Sequence, residues 1–272
     1  MLYFYGIRIG VGAILRGRAS REAVKNVIVP ENYWRTLENR LTYDELRATS
    51  ADRILDVGSP KLLSLFLADR VGAEVYSTDI ESYFMEDYAS FRRMRRIPES
   101  RFRVMKADGR KLPFPDAHFT RIYSISVLEH IPGDGDSECM QEVARTMKPG
   151  ALCVLTVPFA PDGRNEYRDA DAFYWSGNSE GSAGETRVFY QRRYSEQDLL
   201  SRLVAPSGLR LFKTRYLGDR VAFPGGKEVA EYFPPLTGPL HPLVSKIFHA
   251  PPSPSWKGMK KPLGALLVLR KD

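Results

Sequence analysis

An α/β architecture, with a parallel sheet covered by helices on both faces, is predicted by the 272-residue sequence on three observations. Strand-like and helix-like stretches alternate between residues 51 and 158. The strand-like stretches are short β-branched runs bounded by turn residues. The helix-like stretches repeat apolar residues every three or four positions. This βαβα order buries both faces of a parallel sheet.

The elements follow in chain order. Residues 1–50 read as helical. Residues 2–15 are apolar and aromatic, interrupted by Arg8 and three glycines. That stretch is too short to cross a bilayer. It lacks a basic leader region and a small-residue cleavage site, so it does not read as a signal peptide. Two readings stay open: packing onto the body or onto a partner subunit in a homodimer, and an interfacial anchor helped by Arg16, Arg18 and Arg21. Ser20 is placed to cap a helix that reaches Val29 and is stopped by Pro30. Thr42 followed by Glu45 has the pattern of a capping box.

Residues 53–57 are the first strand, 62–68 a dense apolar helix, 74–78 a strand and 81–94 a helix. Residues 102–106 and 120–124 are further strands. Residues 137–147 form a helix with Met140, Val143, Ala144 and Met147 on one face. Pro149-Gly150 ends it, and residues 152–157 are the next strand. Residues 159–186 show no clear periodicity and read as a long loop of the functional kind. Ser195 with Asp198 caps a last helix ending near Val204. Gly208 leads into a strand over 209–217. Residues 223–262 are Pro-rich, and 265–269 form the final strand.

Composition sets limits. Hydrophobic residues make up 43% and charged residues 27%, which excludes wholesale disorder. The two cysteines, Cys139 and Cys153, fall in core-like stretches. They support neither a disulfide framework nor a cysteine zinc cluster, and they fit a reducing, cytoplasmic compartment. The net charge of +7 is uneven: residues 206–272 hold 11 Lys+Arg against 4 Asp+Glu and 10 of the 19 prolines. Such a segment draws anionic partners or serves as a solvated surface. The run Arg92, Arg93, Arg95, Arg96, Arg101 and Arg103 has little aromatic interleaving. It reads as a solvated face rather than a nucleic-acid site.

The chemistry concentrates at strand ends. In Ile54-Leu55-Asp56-Val57-Gly58-Ser59-Pro60 an apolar strand ends in an acid, a glycine and then a helix. At the carboxyl edge of a parallel sheet such a turn receives a nucleoside-bearing ligand. Gly58 lets backbone approach the ligand closely, and Pro60 suits a first helical turn. Asp79 ends the second strand, 23 residues after Asp56, where a carboxylate can accept ribose hydroxyls. Further on come Ala107-Asp108-Gly109, Leu112-Pro113-Phe114-Pro115-Asp116, Ser126-Val127-Leu128-Glu129-His130-Ile131 and Val143 through Gly150.

Together these motifs make residues 51–217 resemble the class I S-adenosylmethionine-dependent methyltransferases, closest to the small-molecule branch that includes quinone-biosynthesis-type enzymes. The resemblance implies a Rossmann-like, doubly wound seven-stranded sheet with an antiparallel final strand. It divides the chain into an N-terminal helical extension (1–50), a cofactor-binding core (51–222) and a basic Pro-rich insert with the final strand (223–272). It implies S-adenosylmethionine as cofactor and S-adenosylhomocysteine as product, with no metal. Asp56, Gly58 and Ser59 would form the methionine-side turn. Asp79 would hold the ribose, Ile80 would lie against the adenine, and Asp108 with Gly109 would flank its amino edge. Ser126 would line the pocket near the methyl donor. A dehydrogenase reading fails because the full Gly-x-Gly-x-x-Gly pattern is absent. One departure stands out: Pro60 occupies the place of the family's second glycine, followed by the cation Lys61.

Methyl transfer needs mainly alignment of the acceptor, which supplies about 7–11 kcal/mol. His130 is the candidate base for a protonated acceptor, against a structural role. Tyr167, Tyr174, Trp175 and Arg192 are the candidate acceptor contacts. The expected acceptor is a small molecule, of anionic or lipid-like character, methylated on oxygen, nitrogen or carbon. Peripheral membrane contact fits the same picture. Nucleic acid is not expected, because no Asn-Pro-Pro-Tyr or Asp-Pro-Pro-Tyr motif is present. The alternative is a methyltransferase-fold module that binds or regulates without catalysis.

Overall fold

The computed structural model describes residues 1–169, 187–222, 229 and 235–272. Three helices come first: α1 (Leu2–Ile14), α2 (Arg21–Ile28) and α3 (Tyr33–Leu46). Ser20 caps α2 as expected, its Oγ accepting from the Ala23 N–H at 3.2 Å. Helices α1 and α2 run antiparallel at close range. Gly6 faces Pro30, and Gly10 faces the Ala23 carbonyl and Val27, so no Cβ fits at either glycine. The box expected at Thr42 and Glu45 does not form. Helix α3 starts ten residues earlier, where Asn32 Oδ1 accepts from the Arg35 N–H at 2.8 Å. Thr42 is buried mid-helix, and Glu45 pairs with Lys213 at 2.8 Å.

The remaining elements are β1 (Arg53–Val57), α4 (Lys61–Phe66, prolonged by a wider turn over Leu67–Val71), β2 (Glu74–Asp79), α5 (Met85–Met94), β3 (Phe102–Lys106), β4 (Phe119–Ile125), α6 (Gly135–Thr146) and β5 (Met147–Pro158). They are followed by β6 (Arg164–Asp169), β7 (Arg187–Arg193), the consecutive helical stretches Glu196–Asp198, Leu199–Val204 and Ala205–Ser207 (together α7), β8 (Arg210–Asp219), α8 (His241–Phe248) and β9 (Lys261–Arg270).

Seven strands form one sheet in the order β3-β2-β1-β4-β5-β9-β8. Strands β1 to β5 are parallel, and β9 runs antiparallel between β5 and β8. This is the doubly wound, Rossmann-like sheet with an antiparallel final strand that the motifs implied. The two-residue period of the strands sends neighbours to opposite faces. Ile54, Tyr123, Val154 and Leu266 join Ile9, Leu63, Phe66 and Phe91 on one side. Leu55, Ile122, Cys153 and Leu267 join Met140, Val143, Leu199 and Leu203 on the other. Both cysteines are buried and free.

Several boundaries differ from the sequence reading for local reasons. Helix α5 starts at Met85 rather than 81, because Asp79 Oδ1 accepts from the Glu81 N–H at 3.1 Å and holds a turn there. Strand β5 begins at Met147 and runs through Pro149-Gly150, with Gly150 at φ +78° and a register shift against β4. The stretch read as a loop over 159–186 contains β6, which pairs antiparallel with β7. Its sequence, RNEYRD, is polar on both faces and gives no alternation to read. The Ser195–Asp198 capping box is present in both directions, but α7 continues to Ser207, ending at Gly208 with φ +63°. The Pro-rich insert holds a helix, α8, with Pro242 in its first turn, where a missing N–H costs nothing.

A buried carboxylate locks α6 to the β7–α7 segment. Asp136 Oδ2 accepts from Arg192 Nη1 at 2.6 Å and from the Tyr194 hydroxyl at 2.9 Å, and Oδ1 accepts from Arg202 Nη2 at 2.8 Å. Asp136→Ala should destabilise the fold by about 3–5 kcal/mol, because it leaves the buried Arg192 cation uncompensated. Urea denaturation of wild type and variant measures this.

Candidate active site

The turn after β1 is built from beneath. Asp56 is fully buried. Its Oδ1 accepts from the Ser59 N–H at 3.0 Å, and its Oδ2 accepts from Ser64 and Ser77 Oγ at 2.5 and 2.7 Å. Burial pushes this carboxyl up, against the pull of Lys61 and the serine hydroxyls. Asp56 therefore shapes the turn and does not reach outward as a ligand contact. Ser59 is equally enclosed, its Oγ accepting from the Ile125 N–H at 2.8 Å. Gly58 has φ +71°, and a Cβ there would stand 2.6 Å from Val127 Cγ1. Both backbone and space demand glycine at this position.

Lys61 was not singled out as a site residue, yet its ammonium is central. It donates to the carbonyls of Ser59 at 2.7 Å and Thr78 at 2.9 Å. It pairs with Asp79 Oδ2 at 3.1 Å, lies 3.8 Å from Asp56 Oδ2, and sits 5.1 Å from the centre of the Phe84 ring. Beside it, at the carboxyl ends of β2 and β3, Ile80 is exposed. Asp108 forms a two-pronged pair with Arg110, the shorter contact 2.7 Å, which holds its carboxyl below the usual range. At Gly109 a Cβ would lie 2.9 Å from Cys139 Sγ. Asp79, Ile80, Asp108 and Gly109 thus line up along one sheet edge. A nucleoside fits this donor set: an acceptor carboxylate, an exposed apolar face and a second carboxylate, in strand order.

A cavity of about 780 Å³ opens beyond the ends of β4 and β5. Ser126, His130 and Tyr167 line it. Arg192 does not. It is drawn inward by Asp136 and the Gly133 carbonyl, and the neighbouring Gln191 and Arg193 face the cavity instead. Tyr174 and Trp175 lie outside the described residues. The other expected cofactor residues sit along the sheet edge, so Ser126 is the member of that set that also lines the cavity.

Helix α3 supplies a wall the sequence did not reveal. Glu38 accepts from Ser126 Oγ at 2.6 Å, Thr156 Oγ1 at 2.9 Å and Arg35 Nη1 at 2.7 Å. The pull on Ser126 accompanies a left-handed backbone, φ +48°, uncommon for serine. Glu129 also lines the cavity but is 1% exposed, and its Oε2 has no hydrogen-bond partner among the described residues. Burial pushes its pKa up to about 8. His130 Nδ1 lies 2.8 Å from the Tyr190 carbonyl. The neutral ring therefore carries its proton on Nδ1, leaving the Nε2 lone pair free to act as a base. Nε2 is 3.7 Å from Glu129 Oε1, and burial lowers the ring's pKa. Glu129 was visible as part of the Leu-Glu-His-Ile motif. Arg35 and Glu38, on a helix remote in sequence, carried no local signal.

Residues 55–155 match the family described as a methyltransferase domain. The methyltransferase GfsG of Streptomyces halstedii is 31% identical over 114 residues, covering 42% of this chain and 40% of that protein. The match therefore spans less than half of that relative's length. Geranyl diphosphate C-methyltransferase from Streptomyces coelicolor, solved with Mg²⁺, geranyl diphosphate and S-adenosylhomocysteine, superposes with a TM-score of 0.58 at 13% identity, over 93% of this chain and 83% of that one. Coclaurine N-methyltransferase, bound to N-methylheliamine and S-adenosylhomocysteine, gives 0.58 at 13% identity, over 87% and 73%. The [4+2]-cyclase SpnF gives 0.54 at 17% identity, over 87% and 81%. At these identities the likeness to the solved structures is one of fold.

The raised carboxyl of Glu129 has a stability signature. Folded, it keeps its proton to about pH 8; unfolded, it releases it near 4.5. Between those values the folded state binds more protons, so this group's contribution to stability falls as pH rises. Glu129→Gln removes that loss. The variant's Tm relative to wild type should rise by several degrees between pH 5 and pH 9, read by thermal unfolding at both pH values.

Proposed function

We propose that this chain, which carries a class I S-adenosylmethionine-dependent methyltransferase domain over residues 55–155, transfers a methyl group from S-adenosylmethionine to a small-molecule acceptor. The observation that supports it best is Ser126. This residue directly follows β4 where the edge bearing Gly58, Asp79 and Asp108 meets the cavity, so a donor along the edge and an acceptor in the cavity would adjoin there.

The cofactor, when bound, supplies a methyl group activated by its sulfonium. Asp79 would hold the ribose hydroxyls, with Lys61 fixing the carboxylate's orientation. Ile80 would cover one adenine face, and Asp108 with Gly109 would flank the amino edge. The Gly58–Ser59 turn, held by Asp56 from below, would present its backbone to the methionine portion. Glu38 fixes Ser126 and the α3 wall of the cavity, so the acceptor meets a preformed surface. A volume of about 780 Å³ suits a small organic molecule. His130 Nε2 would take the proton of an O–H or N–H acceptor, beside the Glu129 carboxyl. Arg168, Arg187 and Arg193 also line the cavity, with Arg193 tied to Glu166 at 2.7 Å. Their cations favour an acceptor bearing negative charge.

A second reading, a binding or regulatory module without catalysis, is favoured by one feature. Pro60 and Lys61 replace flexible turn residues with a fixed φ and a buried cation. Calorimetry separates the two. Wild type should bind S-adenosylmethionine and S-adenosylhomocysteine, and Asp79→Ala should weaken both about 10–100-fold through loss of charged hydrogen bonds. Absence of heat for wild type with either ligand would sink the methyl-transfer reading.

A further inference from the structure

Among the described residues, no helix is long and apolar enough to cross a membrane. Large exposed apolar side chains nevertheless gather on the helices outside the sheet. On α1, Phe4, Val11 and Leu15 are exposed, Phe4 at 70% and Leu15 at 80%. At 100° per residue, Phe4, Arg8, Val11 and Leu15 fall within about 60° of one another on the helix. The opposite face of α1, with Tyr5, Ile9 and Ala13, is buried in the core. On α2, Val24 and Ile28 are exposed one turn apart, and at α8 Leu240, Leu243 and Ile247 form a third stripe. The three helices adjoin. Gly6 and Gly10 pack α1 on α2, and Gly238, just before α8, abuts the Ile28 carbonyl and Val29.

The helices of this face are themselves rich in cations, and beside them Glu86 and Asp87 of α5 share a recess with Arg18 and Ser20. The first 21 residues carry four arginines and no Asp or Glu, and residues 235–248 carry Lys246 and no acid. The acid within α2, Glu22, is buried and paired with Lys25 at 3.3 Å. Arg16 curls back to the Gly12 carbonyl at 2.8 Å, beside Leu15, and keeps its charge at the rim of the stripe.

We propose that the face formed by α1, α2 and α8 docks on an anionic lipid surface, with Phe4, Val11, Leu15, Leu243 and Ile247 entering the interface and Arg8, Arg16, Arg21 and Lys246 meeting headgroups. Apolar stripes bordered by cations are the pattern of helices that lie in the membrane plane. A second copy of the chain fits this face worse, since a two-fold contact centred on the α1 stripe would set Arg8 and Arg16 of one copy against those of the other. Ile28 lies four residues before Asn32, which lines the cavity, so the docked face leads directly into the cavity wall. The inference rests on surface residues alone, and its failure would leave the methyl-transfer reading untouched.

Flotation with phosphatidylcholine vesicles, alone or mixed with phosphatidylglycerol, tests it. Wild type should float with the mixed vesicles and not with the neutral ones, and high salt should weaken the binding. Phe4→Asp/Leu15→Asp should cut the bound fraction tenfold or more, and Leu243→Asp/Ile247→Asp provides an independent pair if the first does not fold by circular dichroism. Failure of wild type to bind mixed vesicles overturns the proposal. So does undiminished binding by a folded variant, or a dimer in sedimentation that the same substitutions dissociate without any vesicle binding.

Discussion

The buried carboxylate of Asp56 is the constraint on which the rest of the site depends. It joins three elements through one side chain: the turn after β1 through Ser59, helix α4 through Ser64, and β2 through Ser77. Tyr123 of β4 extends the network through its hydroxyl, 2.6 Å from Ser64 Oγ. An uncompensated buried charge costs several kcal/mol, so Asp56 tolerates few arrangements of these neighbours. The left-handed backbone of Gly58 is one consequence, and the carbonyl geometry around Lys61 is another.

Lys61 follows from the same logic. A carboxylate pair at the ends of β1 and β2 would be repulsive unless a cation stood between them. The ammonium is 3.1 Å from Asp79 and 3.8 Å from Asp56, and two backbone carbonyls occupy its remaining donors. The turn thus gains by charge and by the fixed φ of Pro60 an order that a glycine-rich turn would obtain only on binding a ligand. Glu38 and Glu129 stand on the cavity side of Ser126, one triply hydrogen-bonded, the other kept neutral by burial below about pH 8. The two ends of the site therefore present different electrostatic surfaces within one fold.

Features of the sequence that act locally were legible. The short apolar runs of β1, β4, β5 and β9, the caps at Ser20 and at Ser195–Asp198, and the acid–glycine turn are each set by residues a few positions apart. The Thr42–Glu45 pattern was local too, but tertiary burial of Thr42 inside α3 overrode it. Strands β6 and β7 left no period because both faces of β6 are polar. The residues that give the cavity its chemistry were hidden for a different reason. Glu38 bonds Ser126 and Thr156 across 88 and 118 positions, and Arg192 is claimed by Asp136 across 56. Residue type shows that such a side chain could bind a ligand; its long-range partner decides whether it is free to.

The net charge of +7 shows the same limit. By segment, the excess lies in residues 206–272, while the preceding residues hold 29 cations and 29 anions. Yet much of the C-terminal charge is tied down: Lys213 to Glu45, Arg210 to Asp272, Lys271 to the Ala144 and Met147 carbonyls, and Arg220 to the His249 carbonyl. The face with cations beside exposed apolar groups lies mainly on α1 and α2, inside the segment whose total is zero. Of the acids that cancel those arginines in the sum, Glu22 pairs with Lys25 and Glu86 and Asp87 share a recess with Arg18, while others sit on the sheet and around the cavity, beyond the reach of a screened attraction to Arg8 and Arg16. A surface is therefore basic or neutral by its local composition, and the three-dimensional neighbours of Arg8 and Arg16 carry more weight than the count over the chain.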